Sequence, residues 1–408
     1  MTTIAELREQ VRGPVIEPGD DGYEEGRRVH NGMHDRRPAL IVRAAATADA
    51  IAAVNYAREA GLDLAVRGGG HSGPGFGTSD GGVVLDLSLL NNVFVDRTKR
   101  TARAGGGTTW GDFNHATHAY GLATTGGIIS TTGVSGLTLG NFGVVTSLEL
   151  ALHPVDTIYG GPMFFEVADA PALMRAYDDY IQEAPEQLGA FFAWQMAPPL
   201  PFIPEDRHGD VFCAIVACWS GRPEQGEQAI KPFRDVAEVK AEHVGPMPYP
   251  ALNAAFDGLF PKGIRQYWKG DYVRDLPDEA IAAHAEHGPG VPTVSSTMHL
   301  YSINGAAARV GPEETAFGHR DARYAMVILS ASPDPGDDEA DIRWVRDYYA
   351  AVHPYSGTRG GYVNFMDSDD AARAPENYGG SYERLRAIKA EYDPDNLFHL
   401  NQNVTPAD

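Results

Sequence analysis

Val66-Arg67-Gly68-Gly69-Gly70-His71-Ser72-Gly73 is the stretch from which the rest of the chain is read. Leu64-Ala65-Val66 before it is short, apolar and partly β-branched, the pattern of a buried strand. Three glycines then let the backbone turn sharply and come within contact distance of a ligand. Successive free N–H groups in such a turn form an anion nest suited to a phosphate or pyrophosphate. Arg67 adds positive charge at the mouth, and His71 sets an imidazole at the end. The same residues also read as a glycine-rich β-turn with an incidental histidine, and spacing alone does not separate the two.

Upstream, Ala39-Leu40-Ile41-Val42 reads as a strand. Thr47 is placed to cap a helix carrying Ile51, Val54 and Ala57, which Gly61 ends. With Leu64–Val66 this makes a βαβ unit that delivers the glycine loop. Gly73-Pro74-Gly75-Phe76-Gly77 imitates a dinucleotide fingerprint. A strand, Val83-Val84-Leu85-Asp86-Leu87, follows it where that fingerprint needs a helix, so a Rossmann reading is rejected. Thr101 to Gly107 reads as a strand and turn, and Trp110 to His118 as a helix. His115 and His118 lack neighbouring carboxylates or cysteines and read as ordinary histidines, not metal ligands. Gly126-Gly127-Ile128-Ile129-Ser130-Thr131-Thr132-Gly133-Val134-Ser135-Gly136-Leu137-Thr138-Leu139-Gly140 is a second glycine-dense stretch. It suits a loop laid along a flat ligand, or a series of tight turns in a β-rich domain.

A chain of 408 residues exceeds one ordinary core and implies two domains. A net charge of −22 argues against nucleic acid and anionic membrane surfaces as partners. No signal peptide is visible, and no apolar run reaches the roughly 20 residues that span a bilayer, so the default expectation is cytoplasmic. Cys213 and Cys218 lie an odd number of positions apart on one apolar strand. They therefore face opposite ways and should stay unbridged.

Past His153-Pro154 the pattern changes. Asp169 is placed to cap a helix with Leu173, Met174, Tyr177 and Ile181. Strands are expected at Phe212–Trp219, Thr293–Ile303 and Tyr324–Leu329, and helices at Pro223–Phe233 and Asp337–Val352. Such an order suggests an α+β domain with helices on one sheet face. Lys269, His299 and Tyr301 lie on or beside these elements. His299 and Tyr301 share a face, either toward a substrate or as ordinary sheet residues. A last helix starts at Ser381 or Tyr382 and closes at Asp393-Pro394.

Arg67-Gly68-Gly69-Gly70-His71-Ser72 resembles the covalent flavin-attachment loop of the vanillyl-alcohol oxidase/PCMH flavoproteins, and within them the berberine-bridge-enzyme-like oxidoreductases. The resemblance runs from about Arg37 to Tyr392-Asp393-Pro394-Asp395-Asn396-Leu397-Phe398 and Asn401-Gln402-Asn403-Val404. It implies a two-domain PCMH-type FAD-binding fold of the α+β class, with an antiparallel-sheet substrate domain covered by helices on one face. The implied domains are residues 1–153 with 355–408 for FAD and 154–354 for substrate. The implied cofactor contacts are Arg67, Gly68, Gly69, Gly70, His71 and Ser72; Gly127, Ile129, Gly133, Gly136 and Gly140; Val145; and Asn401 and Asn403. His71 would carry the flavin through its 8α-methyl. Ile129 stands where some members have a second attachment cysteine, so only one link is implied. Tyr362, in Gly361-Tyr362-Val363-Asn364-Phe365, matches a Tyr-x-Asn strand and is the implied catalytic base.

Family members usually carry several dozen residues between positions matching Gly140 and Asn141, which are adjacent in this chain. The absent segment predicts exposed apolar surface and unpaired strand edges. The implied function is oxidation of an alcohol, sugar or secondary metabolite by hydride transfer to FAD, with O2 as acceptor. The rival reading is a flavin-binding or flavin-free relative that only binds a ligand. A third, a flavin reductase using a nicotinamide cofactor, lacks a second dinucleotide fingerprint.

Overall fold

The computed structural model describes residues 2–408. They fold as two units: the stretch up to Asp156 with Asn253–Ile264 and Glu383–Asp408, and Thr157–Leu252 with Arg265–Tyr382.

In the first unit, strands β1 (Val15–Ile16), β2 (Leu40–Arg43), β3 (Leu64–Arg67) and β4 (Val83–Asp86) form a sheet in the order β1-β2-β4-β3. β2 and β3 both run parallel to β4. Val83, Val84 and Leu85 are fully buried, as expected where both faces of a sheet are covered. The helix Thr47–Ala60 packs Ala50, Ala53 and Ala57 onto this sheet, and Gly61 ends it at φ 64°. Of the expected helix face, Val54 and Ala57 pack on this core, and Ile51 is corrected: it points to solvent. Thr47 is the first helical residue, not the cap. Asp49 instead accepts the N–H groups of Arg12, Gly13 and Ala45 at 2.8–3.1 Å.

A second sheet in this unit is antiparallel, in the order β5 (Val93–Asp96), β6 (Thr101–Gly105), β8 (Ser147–Ala151). The short pair β7 (Leu122–Ala123) and β9 (His153–Pro154) lies apart from it. Trp110 and Phe113 of the helix Trp110–His118 fill the core beside Ala102 and Ala104. Phe94 on edge strand β5 is 70% exposed, and Leu137 just before the Gly140–Asn141 junction is 45% exposed. The junction is a tight turn, with Leu139 at φ 59° and Gly140 at φ 66°. A left-handed leucine costs roughly 1–2 kcal/mol. The next residue is anchored: Asn141 Oδ1 accepts the Val404 N–H at 2.9 Å, and its carbonyl accepts from Lys389 Nζ at 2.6 Å. Lys389, fully buried, also donates to the Phe398 carbonyl and pairs with Asp393.

The second unit is an eight-stranded antiparallel sheet. Its strands are β10 (Thr157–Glu166), β11 (Leu188–Met196), β12 (Val211–Trp219), β13 (Ala241–Glu242), β14 (Gly245–Pro248), β15 (Arg265–Val273), β16 (Thr297–Ser302) and β17 (Tyr324–Ser332). The order is β13-β10-β12-β11-β16-β17-β15, with β14 also on β10. Alternate residues such as Phe192, Trp194, Ile215, Met298 and Ile328 form one core with Tyr177, Phe233, Ile281 and Val345 from four helices. The other sheet face carries none of these helices' core residues. Cys213 lies in the helix-side core, Cys218 does not, and both thiols are free.

The chain division differs from the sequence expectation in two places. Residues 355–382 stay with the second unit because they are pinned to edge strand β15. The Tyr272 N–H donates to the Gly360 carbonyl, Thr358 Oγ1 to the Tyr272 carbonyl at 2.7 Å, and Lys269 Nζ to Asp369 and Asp370. Asn253–Ile264 joins the first unit. The expected Tyr-x-Asn strand is also corrected: Val363–Phe365 is a single 3₁₀ turn, closed by the Phe365 N–H on the Tyr362 carbonyl.

His284, on the helix Asp278–His287, is buried with Nδ1 2.7 Å from the Tyr348 hydroxyl. Burial, aided by His287, pushes its pKa down from 6.5 to about 3. The unfolded chain therefore takes up this proton near pH 6.5 while the folded chain stays neutral to about 3. Stability is complete above that window and falls as pH drops through it, by about 1.4 kcal/mol per pH unit for this group. Urea unfolding at pH 7, 6 and 5 should show a shallower loss in His284→Gln than in the parent. Equal slopes would clear His284.

Candidate functional site

β3 delivers the first glycine loop in the first unit. Gly70 sits at φ 70°, where glycine is favoured. A Cβ added to Gly69 would overlap the backbone nitrogen of Gly133, and one added to Gly133 would overlap that of Gly69. The two glycine stretches thus meet backbone to backbone. A Cβ added to Gly68 would press on Ser135 Oγ and, less closely, on the Gly106 carbonyl, and one added to Gly106 would overlap the Val145 carbonyl. The His71 ring stacks on His30 with centroids 3.8 Å apart. Its Nε2 is 3.0 Å from Thr131 Oγ1 and its Nδ1 is 3.3 Å from Thr132 Oγ1. Burial, and then the neighbouring His30, pushes the His71 pKa down to about 3, so the ring is a neutral imidazole with a lone pair available.

Arg67 does not stand at the loop's mouth as expected. Its side chain is buried and bonded to Asp86 at 2.9 Å, since β3 and β4 run in register and place Arg67 beside Asp86. Its charge is neutralised inside the sheet.

The second glycine stretch is held by residues that sequence reasoning missed. Ser130 donates its N–H to Asp257 at 2.9 Å, and its hydroxyl to the same carboxylate. Asn253 donates to the Gly127 carbonyl and accepts from Asn114 at 3.0 Å. The His30 ring meets the Phe260 carbonyl. All three partners come from the excursion Asn253–Ile264, more than a hundred residues along the chain, and no local pattern marks them.

The remaining expected positions fall into place with less contact. Ser72 Oγ accepts the Phe76 N–H. Gly127 and Ile129 are half-buried beside Trp110 and Ser130, Gly136 is exposed in a 3₁₀ turn, and Gly140 lies in the junction turn. Asn401 donates to the Phe398 carbonyl, while the amide oxygens of Asn401 and Asn403 are buried without hydrogen-bond partners among the described residues. Glycine backbones in contact, a neutral imidazole beside them and two unpaired amide oxygens fit the phosphate, methyl and polar-ring edges of an FAD. Among the described residues, no group of three or more His, Cys, Asp or Glu is placed to hold a metal, and no helix is long and apolar enough to cross a membrane.

In the second unit, register builds a shallow trough on the sheet face away from the helices. Ala214, Ala193, His299, Val327 and Gly270 stand side by side across five strands. Two positions along, Phe191 and Tyr301 rise on one flank, and Gln195 and Trp268 on the other. Phe365 sits over Gly270, and Tyr362 packs with Tyr272 and Ala325 on this face. Asn364 Nδ2 donates to Tyr362 Oη at 2.9 Å. Burial pushes the Tyr362 phenol up, with Asn364 opposing weakly. Lys269 lies on β15 and projects from the other face toward Asp369 and Asp370. Strand alternation makes that inevitable for an odd-numbered neighbour of Trp268.

Known proteins bear on both units. Residues 38–150 match the model of an FAD binding domain, and residues 361–405 match that described as berberine and berberine like. (R)-6-hydroxynicotine oxidase of Paenarthrobacter nicotinovorans is 28% identical over 97% of each chain. The fold matches that of BBE-like 1 from Physcomitrella patens, with a TM-score of 0.86 at 18% identity over the whole of both chains. It also matches a xylooligosaccharide oxidase from Myceliophthora thermophila, with a TM-score of 0.84 at 18% identity, again over both whole chains.

Gly69→Ala forces a methyl into the Gly133 backbone, an overpacking worth about 1–3 kcal/mol. The purified variant should melt lower and carry less flavin per protein by absorbance. Gly245→Ala, with open space around the added carbon, should do neither. A Gly69→Ala protein with parental melting and flavin content would refute the contact's importance.

Proposed function

The chain belongs to the berberine-bridge-enzyme-like FAD-linked oxidoreductases, and we propose that it oxidises a small alcohol, sugar or secondary metabolite by hydride transfer, with O2 as the final acceptor. The paired glycine loops beside a neutral His71 are the observation that carries this reading. The nicotine and xylooligosaccharide oxidases it resembles are both oxidases of small organic molecules, which supports the reaction class. FAD, when bound, supplies the two-electron acceptor.

The chain's own residues supply attachment, position and proton transfer. His71 is the proposed attachment point: its ring is unprotonated and oriented by Thr131, Thr132 and His30. Ile129 has no thiol, so attachment is single. The amides of Asn401 and Asn403 are the proposed partners of the cofactor's polar ring edge. Tyr362 is the proposed acceptor of the substrate hydroxyl proton. Its phenol has no cation to hold it ionised, and burial works against the phenolate. It therefore accepts the proton only in its minor phenolate form, which the hydrogen bond donated by Asn364 Nδ2 to Oη favours, and becomes a neutral phenol as the hydride leaves.

Acid precipitation followed by peptide mass analysis should find one flavin on the His71 peptide. In His71→Ala all flavin should leave with the supernatant. Flavin on any other residue would overturn the assignment.

Tyr362→Phe should retain flavin but slow its anaerobic reduction by roughly 10²–10⁴-fold, the usual contribution of a general base. An unchanged reduction rate would remove Tyr362 from the role.

A further inference from the structure

The trough of the second unit has a chemical bias that its register makes visible. Its floor is Ala214, Ala193, His299, Val327 and Gly270, and its flanks carry Phe191, Tyr301, Gln195 and Trp268. None of these positions bears an Asp, Glu, Lys or Arg. The charged side chains of β15, Arg265, Lys269 and Asp271, alternate onto the opposite face and are paired there with Asp338, Asp370 and His353. A charged ligand in the trough would lose its hydration and find no counter-charge.

The polar groups that flank the trough are mostly committed. Gln195 Nε2 donates to the Val294 carbonyl at 2.6 Å, and Trp268 Nε1 to Gln266 at 3.1 Å. His299 differs. It is 8% exposed, with Nδ1 2.6 Å from the Tyr301 hydroxyl, and Nε2 has no hydrogen-bond partner among the described residues. Burial holds the ring neutral, its pKa pushed down to about 3. The Tyr301 hydroxyl is itself both donor and acceptor, so the ring takes either tautomer. Nε2 then offers an N–H in one tautomer and a lone pair in the other. A ligand hydroxyl pairs with both. An ammonium group pairs only with the lone pair, and a carboxylate only with the N–H. The aromatic flanks, Phe191 and Tyr301 at 4.9 Å between centroids and Phe365 at 5.8 Å from Tyr301, suit a ring beside that hydroxyl.

We infer that the trough selects an uncharged, ring-bearing alcohol and that His299 Nε2 hydrogen-bonds its hydroxyl. This rests on the oxidoreductase reading for the identity of the ligand as substrate, and it narrows the substrate class: cationic amines and carboxylates are selected against.

Calorimetric binding to the holoprotein at pH 7 tests this without turnover, using the size-matched probes benzyl alcohol, benzylamine, benzoate and toluene. Benzyl alcohol should bind at least tenfold more tightly than either ion and more tightly than toluene. In His299→Leu the preference for benzyl alcohol over toluene should disappear. The inference is overturned if either ion binds as tightly as the alcohol, if no probe binds, or if His299→Leu keeps the alcohol preference. The ligand panel on the unaltered protein decides the charge question even if the variant does not fold. Anaerobic flavin bleaching by a wider set of alcohols is read separately. Its failure would sink the oxidoreductase reading while leaving the binding preference standing, and a bleaching amine substrate would do the reverse.

Discussion

The first unit depends on one contact that no side chain permits. Gly69 and Gly133 approach until either Cβ would occupy the other's backbone. Two loops from separate parts of the unit are thereby locked face to face. Close backbone approach of this kind is what glycine offers at the cost of conformational entropy. The His71 ring inherits its place from this contact, because Thr131 and Thr132, which hold the ring, directly precede Gly133. Loop pairing and imidazole orientation are one structural event.

Glycine loops are flexible unless something restrains them, and here the restraint is polar and distant. Asp257 takes two hydrogen bonds from Ser130, and Asn253 bonds Gly127. At the C-terminus, buried Lys389 joins Asn141, Phe398 and Asp393. Removing one partner from such a buried set leaves the others unsatisfied, and that penalty exceeds the net worth of the bonds when made. The polar clamps therefore fix the geometry of the loops more than they raise overall stability. Arg67 follows the same pattern: its charge is paired with Asp86 inside the sheet, away from the loop.

The sheet of the second unit separates two jobs by alternation. One face is an apolar core under four helices. The other holds aromatic rings, a neutral histidine–tyrosine pair and the turn bearing Tyr362. Charges on β15 fall on the first of these faces, where carboxylates from residues 369–370 meet Lys269. Those ion pairs also explain why the segment around Tyr362 stays with this unit: it is stapled to the edge strand by charge and by backbone hydrogen bonds.

The sequence by itself determined the short apolar strands, the glycine loop that ends in His71, the helix Trp110–His118, the opposed cysteines and the α+β class. These are local matters of side-chain period and backbone freedom, and they are written within a few residues of where they act. Tertiary structure alone decided that Gly69 meets Gly133, that Asn253 and Asp257 hold the second loop, that Ile51 faces water while alanines pack, and that Gly361–Phe365 is a turn. It also decided that Arg67 is paired inside the sheet and not at the loop mouth its place in the sequence suggested. Each depends on a partner many residues distant, and on whether packing or pairing wins at that point, which no window of sequence contains.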